Sequence, residues 1–290
     1  VQEKYGLRYE LLIFNDATAV ILAMDLGEID LGNLAAQHVV RAIDQGMELV
    51  LVAGWGGGYN VLMAGNQIEL ERDDFKGFKA LVDQRKAERR PVRIGVPTGS
   101  QQHMHLVYFL DDIGVDAERD VQIMNIPFPT LPRSLDSGEV DFVMSLAPFA
   151  AMILDGGMGS LFHHLYGGDR GQWEIGFAVP RSMIEKNPEL VQKIVDSHVE
   201  ALNLFKDDLS MQVKFETDEG SFPKSIVEIV QGEFLNHSYR IDLEDIQRTA
   251  RMMHELGWTR ADHSQAIEDY VDFSFLEKAT GESREQLSQF

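Results

Sequence analysis

Gly138-Glu139-Val140-Asp141-Phe142-Val143-Met144-Ser145 is the stretch whose reading decides the fold class. It follows a helical segment, turns on a glycine and runs straight into an apolar strand. Gly27-Glu28-Ile29-Asp30 repeats the pattern: it too follows a short helical segment and leads into an apolar segment ending in Asn33. Each copy puts a glycine where a helix must turn sharply into a strand, with an acid-apolar-acid alternation at the start of that strand. Taken as a duplication, the pair implies two related α/β lobes.

Outward from these two points, short apolar runs alternate with amphipathic stretches of about ten residues, the signature of an α/β fold with mostly parallel sheets. Strands are predicted over 9–14, 49–53, 92–96, 121–126 and 142–145. Helices are predicted over 17–26, 35–45, 73–88, 101–113, 188–206, 223–231 and 243–256. Glycines 27, 46, 114 and 257 fall just past four of them, where left-handed C-caps belong.

The 290 residues suffice for two domains. The formal charge of −21 repels phosphate backbones and anionic lipid, so nucleic acid is not an expected partner. The chain has no cysteine, which excludes disulfides, thiolate metal sites, iron–sulfur clusters and cysteine nucleophiles. The uncharged run 49–68 matches a membrane span in length, but its five glycines mark strand, glycine loop and strand. No secretory signal opens the chain, so the protein is either cytoplasmic or a mature or trimmed form. The basic run 85–93 reads as a solvated helix end.

Chemistry concentrates in a few loops. Val92-Arg93-Ile94-Gly95-Val96-Pro97-Thr98-Gly99-Ser100-Gln101-Gln102-His103 reads as a buried strand, a turn and a helix start with Ser100 near the N-cap. Free N–H groups and the positive end of the helix dipole suit a small anion, assisted by the Thr98 and Ser100 hydroxyls, and plain helix capping is the competing reading. Gly54-Trp55-Gly56-Gly57-Gly58-Tyr59-Asn60 reads as a flexible loop in which Trp55 and Tyr59 line a pocket or pack as a hinge. Asn33 occupies the matching strand-to-helix junction after the first repeat. The histidine pairs His103/His105 and His163/His164 lack metal-ligand spacing, and no Gly-x-Ser-x-Gly elbow is present, so neither a metal nor a hydrolase is expected.

Gly27-Glu28-Ile29-Asp30-Leu31-Gly32, Ala42-Ile43-Asp44-Gln45-Gly46 with Leu49-Val50-Leu51-Val52-Ala53, Ile94-Gly95-Val96-Pro97-Thr98-Gly99-Ser100 with His103, and Leu135-Asp136-Ser137-Gly138-Glu139-Val140-Asp141 with Ala147-Pro148-Phe149 together resemble the solute-binding proteins of nitrate, sulfonate and taurine ABC importers. Asn187-Pro188-Glu189-Leu190-Val191 and Val271-Asp272-Phe273-Ser274-Phe275-Leu276 look like the same family. These proteins belong to the type II periplasmic binding protein superfamily, which also holds thiamine-pyrimidine binding proteins.

The resemblance implies two α/β lobes with a ligand cleft between them: residues 1–89 as the first part of lobe 1, lacking its first strand and helix, 90–171 as lobe 2, and 172–290 as the return of lobe 1 with C-terminal helices. It carries over as ligand-binding Asn33, the Thr98-Gly99-Ser100 loop with His103, and Ala147 with Pro148. Trp55, Tyr59, Arg170 and Trp173 are added from side-chain chemistry and expected hinge position. Leu146-Ala147 stands where many relatives carry an aromatic residue and an acid, which removes a carboxylate partner for an amine. Residues 72–90 are longer and more charged than the usual connector.

The implied function is the substrate-binding component of an ABC importer, capturing an aliphatic or aromatic sulfonate, a carboxylate or nitrate. Its expected partners are that small anionic solute and a membrane permease. The chain is expected to be a monomer without cofactor or catalytic residues, periplasmic or lipid-anchored on the outer face of the cytoplasmic membrane. The alternatives are a thiamine-pyrimidine-precursor binding protein and an enzyme on the same fold, of the menaquinone-route lyase type, with His103 as the base.

Overall fold

The computed structural model describes residues 1–12, 14, 17–166, 173–218, 222–234 and 236–290. The chain divides into two compact units: 1–57, 171–212 and 236–290 form unit 1, and 58–170 with 213–235 form unit 2. The sequence places the first boundary at 89/90. It falls at 57/58 instead, because residues 61–65 hydrogen-bond into the sheet of unit 2. Residues 213–235 also join unit 2, since Ile226, Val230 and Phe234 pack in its core.

Unit 1 is built on β1 (Gly32–Ala35), β2 (Leu49–Gly57), β8 (Trp173–Pro180) and β9 (Asn236–His237), in the order β1-β8-β2-β9. All three ladders are antiparallel, which corrects the expected mostly parallel sheet. β1 and β2 do run the same way, but β8 lies between them and pairs with both. Helices α1 (Ala17–Asp25), α2 (Ala36–Asp44), α7 (Arg181–Lys186), α8 (Pro188–Asp207), α11 (Leu243–Glu255), α12 (Ser274–Thr280) and α13 (Arg284–Leu287) complete the unit. In α8 the buried Val191, Ile194, Val195, Val199 and Leu202 recur at three and four residues, one apolar stripe of a 3.6-residue helix. α9 (Leu209–Asp218) runs across the 212/213 boundary.

Unit 2 is built on β3 (Val61–Gly65), β4 (Val92–Val96), β5 (Val121–Asn125), β6 (Phe142–Ser145) and β7 (Gly159–His164), in the order β5-β4-β6-β3-β7. β4 runs parallel to β5 and β6, whereas β3 runs antiparallel to β6 and β7, so this sheet is mixed. Helices α3 (Phe75–Ala87), α4 (Gln101–Asp112), α5 (Leu131–Asp136), α6 (Phe149–Asp155) and α10 (Lys224–Ile229) flank it. Successive strand residues alternate between two cores. Leu62, Phe142 and Met144 join Phe78 and Phe109 in one, while Val61, Met63 and Val143 join Leu131, Leu135 and Ile153 in the other. A sheet covered on both faces accounts for its uninterrupted apolar strands.

The duplicated turn forms as expected: Gly27 and Gly138 follow α1 and α5 with φ of 72° and 70°, the left-handed conformation that glycine adopts without penalty. The strand expected over 9–14 does not form among the described residues; Tyr9, Leu11 and Leu12 lie exposed with no ladder to join. The charged segment 72–90 is organised around α3, which buries Phe78 and Val82 and turns its lysines outward, Lys79 to the Gly114 carbonyl and Lys86 to Asp120. Among the described residues no helix is long and apolar enough to cross a membrane.

Candidate functional site

Strand direction gathers most of the candidate residues at one rim of unit 2. β4, β5 and β6 end there with Val96, Asn125 and Ser145, and the antiparallel β3 begins there, with Val61 opposite both Ser145 and His164, the last residue of β7. Five strand ends therefore share an edge, and the loops 58–60, 97–100, 126–127, 146–148 and 165–166 issue from it. None of these loop residues is charged. Of the residues singled out from sequence, Tyr59, Thr98, Gly99, Ser100, His103, Ala147 and Pro148 belong to this rim.

Ser100 caps α4 as expected, its Oγ accepting the His103 amide at 3.1 Å. The expectation of a loop with free N–H groups needs correcting. The Thr98 amide donates to Asn125 Oδ1 at 3.0 Å, the Gly99 amide to His103 Nδ1 at 3.1 Å and the Ser100 amide to the Pro97 carbonyl at 3.3 Å. The loop's own amides are thus engaged, and the Gln101 and Gln102 amides in the first turn of α4 have no partner inside the helix. His103 is neutral: burial lowers its pKa, and a ring nitrogen that accepts an N–H carries no proton. Its role is to clamp the loop. Ala147 and Pro148 are joined by a cis peptide bond and lead into α6.

Three residues of the rim went unassigned in the sequence. Asn60 is fully buried; its Oδ1 accepts Gln102 Nε2 at 2.6 Å, its Nδ2 lies 3.1 Å from His105 Nδ1, and its carbonyl accepts the Leu165 amide at 2.9 Å. Asn125 positions Thr98. Tyr166 lays its ring 3.5–3.6 Å from the point where a Cβ on Gly58 would sit, and packs edge-on to His164 with centroids 4.9 Å apart. Burial and the nearby Arg72 charge lower the His164 pKa. Asn60 closes the glycine run and Gln102 adjoins His103, but only the fold shows that these two meet.

The other expected residues lie in unit 1. Asn33 is an exposed strand residue of β1 opposite Phe177. Trp55 is in β2, because the strand continues through Gly57 instead of ending in a loop. Gly54 permits this: a Cβ there would meet the Arg240 carbonyl oxygen at 1.9 Å. The Trp55 ring packs 5.2 Å from that of His237. Trp173 is only 2% exposed, with its indole N–H on the Arg240 carbonyl at 3.1 Å and its amide on Asp245 at 2.9 Å. It anchors β8 in the core and is not a lining residue. Arg170 lies outside the described residues. Among the described residues no group of three His, Asp or Glu side chains stands close enough to hold a metal ion.

The antiparallel sheet of unit 1, the mixed sheet of unit 2, the flanking helices and the two-unit chain path define a periplasmic-binding-protein fold, and comparison with solved structures bears this out. The alkanesulfonate-binding protein SsuA from Xanthomonas axonopodis pv. citri, solved with MOPS bound, matches with a TM-score of 0.73 at 18% identity over 94% of this chain and 91% of its own. The aliphatic sulphonate binding protein SsuA from Escherichia coli matches with 0.74 at 17% over 90% and 82%. The nitrate-binding protein NrtA from Synechocystis PCC 6803 matches with 0.72 at 14% over 97% and 83%. Residues 1–214 match the model of the NMT1-like family, and the chain belongs to that family. No curated protein sequence matches it significantly.

Proposed function

We propose that the protein is the substrate-binding component of an ABC importer and that it captures a small organic anion at the rim of unit 2. The observation that carries this reading is the first turn of α4: a twelve-residue helix whose Gln101 and Gln102 amides have no partner within the helix and adjoin an uncharged, internally hydrogen-bonded loop cluster. A helix N-terminus so placed binds an anion through N–H donors and the helix dipole without a counter-ion. The solved structures of the same fold support the solute class, since they are sulfonate- and nitrate-binding proteins. The Escherichia coli and Synechocystis proteins are periplasmic, which supports a location on the outer side of the cytoplasmic membrane, with a permease as partner. They are binding proteins, which supports capture and release of the solute unchanged.

A thermal-shift screen against sulfonates, nitrate, aromatic carboxylates and pyrimidines tests this, because a ligand that binds the native state raises its apparent stability by mass action. The expected result is stabilisation by one organic anion, recovered unchanged. Stabilisation by a pyrimidine alone, or conversion of the compound, overturns the reading.

A further inference from the structure

The amides of the first α4 turn are donors, yet the residue that opens the turn brings an acceptor. Gln101 is 2% exposed, and its Oε1 is buried with no hydrogen-bond partner. In an α-helix each Cα–Cβ bond tilts toward the N-terminus, so the side chain of the first helical residue starts out on the same end of α4 as the first-turn amides. A buried carbonyl oxygen without a donor is a standing cost to the fold, and such an atom in a native protein calls for an explanation, a water, an ion or a bound molecule among them. Asn60 does not relieve it: its Oδ1 can only accept, and its Nδ2 lies on His105 Nδ1 and not on this oxygen.

We infer that Gln101 is a specificity residue and that the solute carries a neutral hydrogen-bond donor, a hydroxyl or an amide or ring N–H, close to its anionic group. This rests on the proposed anion site at the α4 N-terminus and narrows its substrate class. The anion takes the Gln101 and Gln102 amides while the neighbouring donor satisfies Gln101 Oε1. A protonated amine is a poorer match: an ammonium needs a carboxylate, and the surrounding loops carry no charge. A plain alkanesulfonate or nitrate has acceptors only and leaves the oxygen orphaned. Unit 1 echoes the arrangement, where Gln37 in the first turn of α2 is 4% exposed and also holds a buried Oε1 without a partner.

Three two-carbon sulfonates of nearly equal size separate these cases: ethanesulfonate, 2-hydroxyethanesulfonate and 2-aminoethanesulfonate, titrated calorimetrically into the whole chain and into Gln101→Met. The wild type is expected to prefer the hydroxy compound over ethanesulfonate by about tenfold or more, as a site built around a hydrogen bond rejects the analogue that lacks it. The amino compound should gain no such advantage. In Gln101→Met, of similar length and without the carbonyl, the preference should collapse to within about threefold of unity. Equal affinities in the wild type overturn the inference while leaving the anion site standing, and this result does not depend on whether the variant folds. Failure of all three sulfonates to bind the wild type overturns the inference together with the anion-site reading.

Discussion

Gln102 Nε2 donates to Asn60 Oδ1 across 2.6 Å, tying the first turn of α4 to the residue that precedes β3. Through its carbonyl the same asparagine takes the Leu165 amide at the end of β7. One fully buried residue thus ties together three parts of the rim, its side chain holding α4 and its backbone carbonyl the end of β7. Replacing Asn60 with Leu, which has similar volume, removes the acceptor of Gln102 Nε2 and one hydrogen-bond contact of His105. Leaving buried polar groups unsatisfied costs about 1–3 kcal/mol each. We expect a fall in unfolding free energy of about 2–4 kcal/mol in urea titrations and several-fold weaker solute binding; unchanged binding would show that the rim does not need this tie.

At Thr98 the structure separates backbone from side chain. Its amide is held by Asn125 Oδ1 at 3.0 Å, so Asn125→Ala should loosen the loop and weaken binding more than Thr98→Ala does. Ser100→Ala removes the α4 cap at a cost of about 1 kcal/mol and should also weaken binding. Comparing the three dissociation constants checks the order, and a larger loss in Thr98→Ala than in Asn125→Ala would assign the hydroxyl a direct contact.

These contrasts show which parts of the molecule its sequence discloses. The Gly27 and Gly138 turns were legible because a helix-to-strand reversal leaves a local signal in residue type and spacing. Strand direction was not: apolar runs at β3 and β8 look alike whether they run with or against their neighbours, and the direction depends on where the chain crosses between units. The rim residues named from the Thr98–His103 motif were legible for the same local reason as the turns. Asn60, Asn125 and Tyr166 were not, because each acts through a partner far away in the chain. Trp173 misled because an indole reads as a lining residue from chemistry alone, and only its bond to Arg240 shows it to be an anchor.

That reassignment of Trp173 has a direct consequence. Trp173→Phe keeps most of the apolar bulk but deletes the indole N–H, leaving the Arg240 carbonyl without its donor. The variant should lose about 1–3 kcal/mol of stability with solute affinity unchanged within about twofold. A large affinity loss at unchanged melting temperature would return Trp173 to the binding surface.

Acid should weaken the fold over a defined range. His198 is half-buried, with Nε2 2.7 Å from the Gly54 carbonyl and its ring edge-on to Phe177, and desolvation of the ring lowers its pKa to about 4. The short contact fixes the tautomer, since Nε2 must carry the proton it donates to Gly54. With a folded pKa near 4 and an unfolded value of 6.5, the native state binds fewer protons than the unfolded chain between these limits. Stability therefore rises with pH through this range, and the contribution of His198 is fully present above about pH 6.5 and lost as pH falls toward 4. At about 1.4 kcal/mol per pKa unit the change amounts to about 3 kcal/mol. His103, His164 and His237 are shifted downward as well, so their losses add in the same direction. Urea unfolding between pH 7 and 4 should show the decline. His198→Gln retains a side-chain N–H for Gly54 and removes the titration, so its curve should be shallower by roughly the share of His198. Parallel curves for the two proteins would place the acid sensitivity elsewhere.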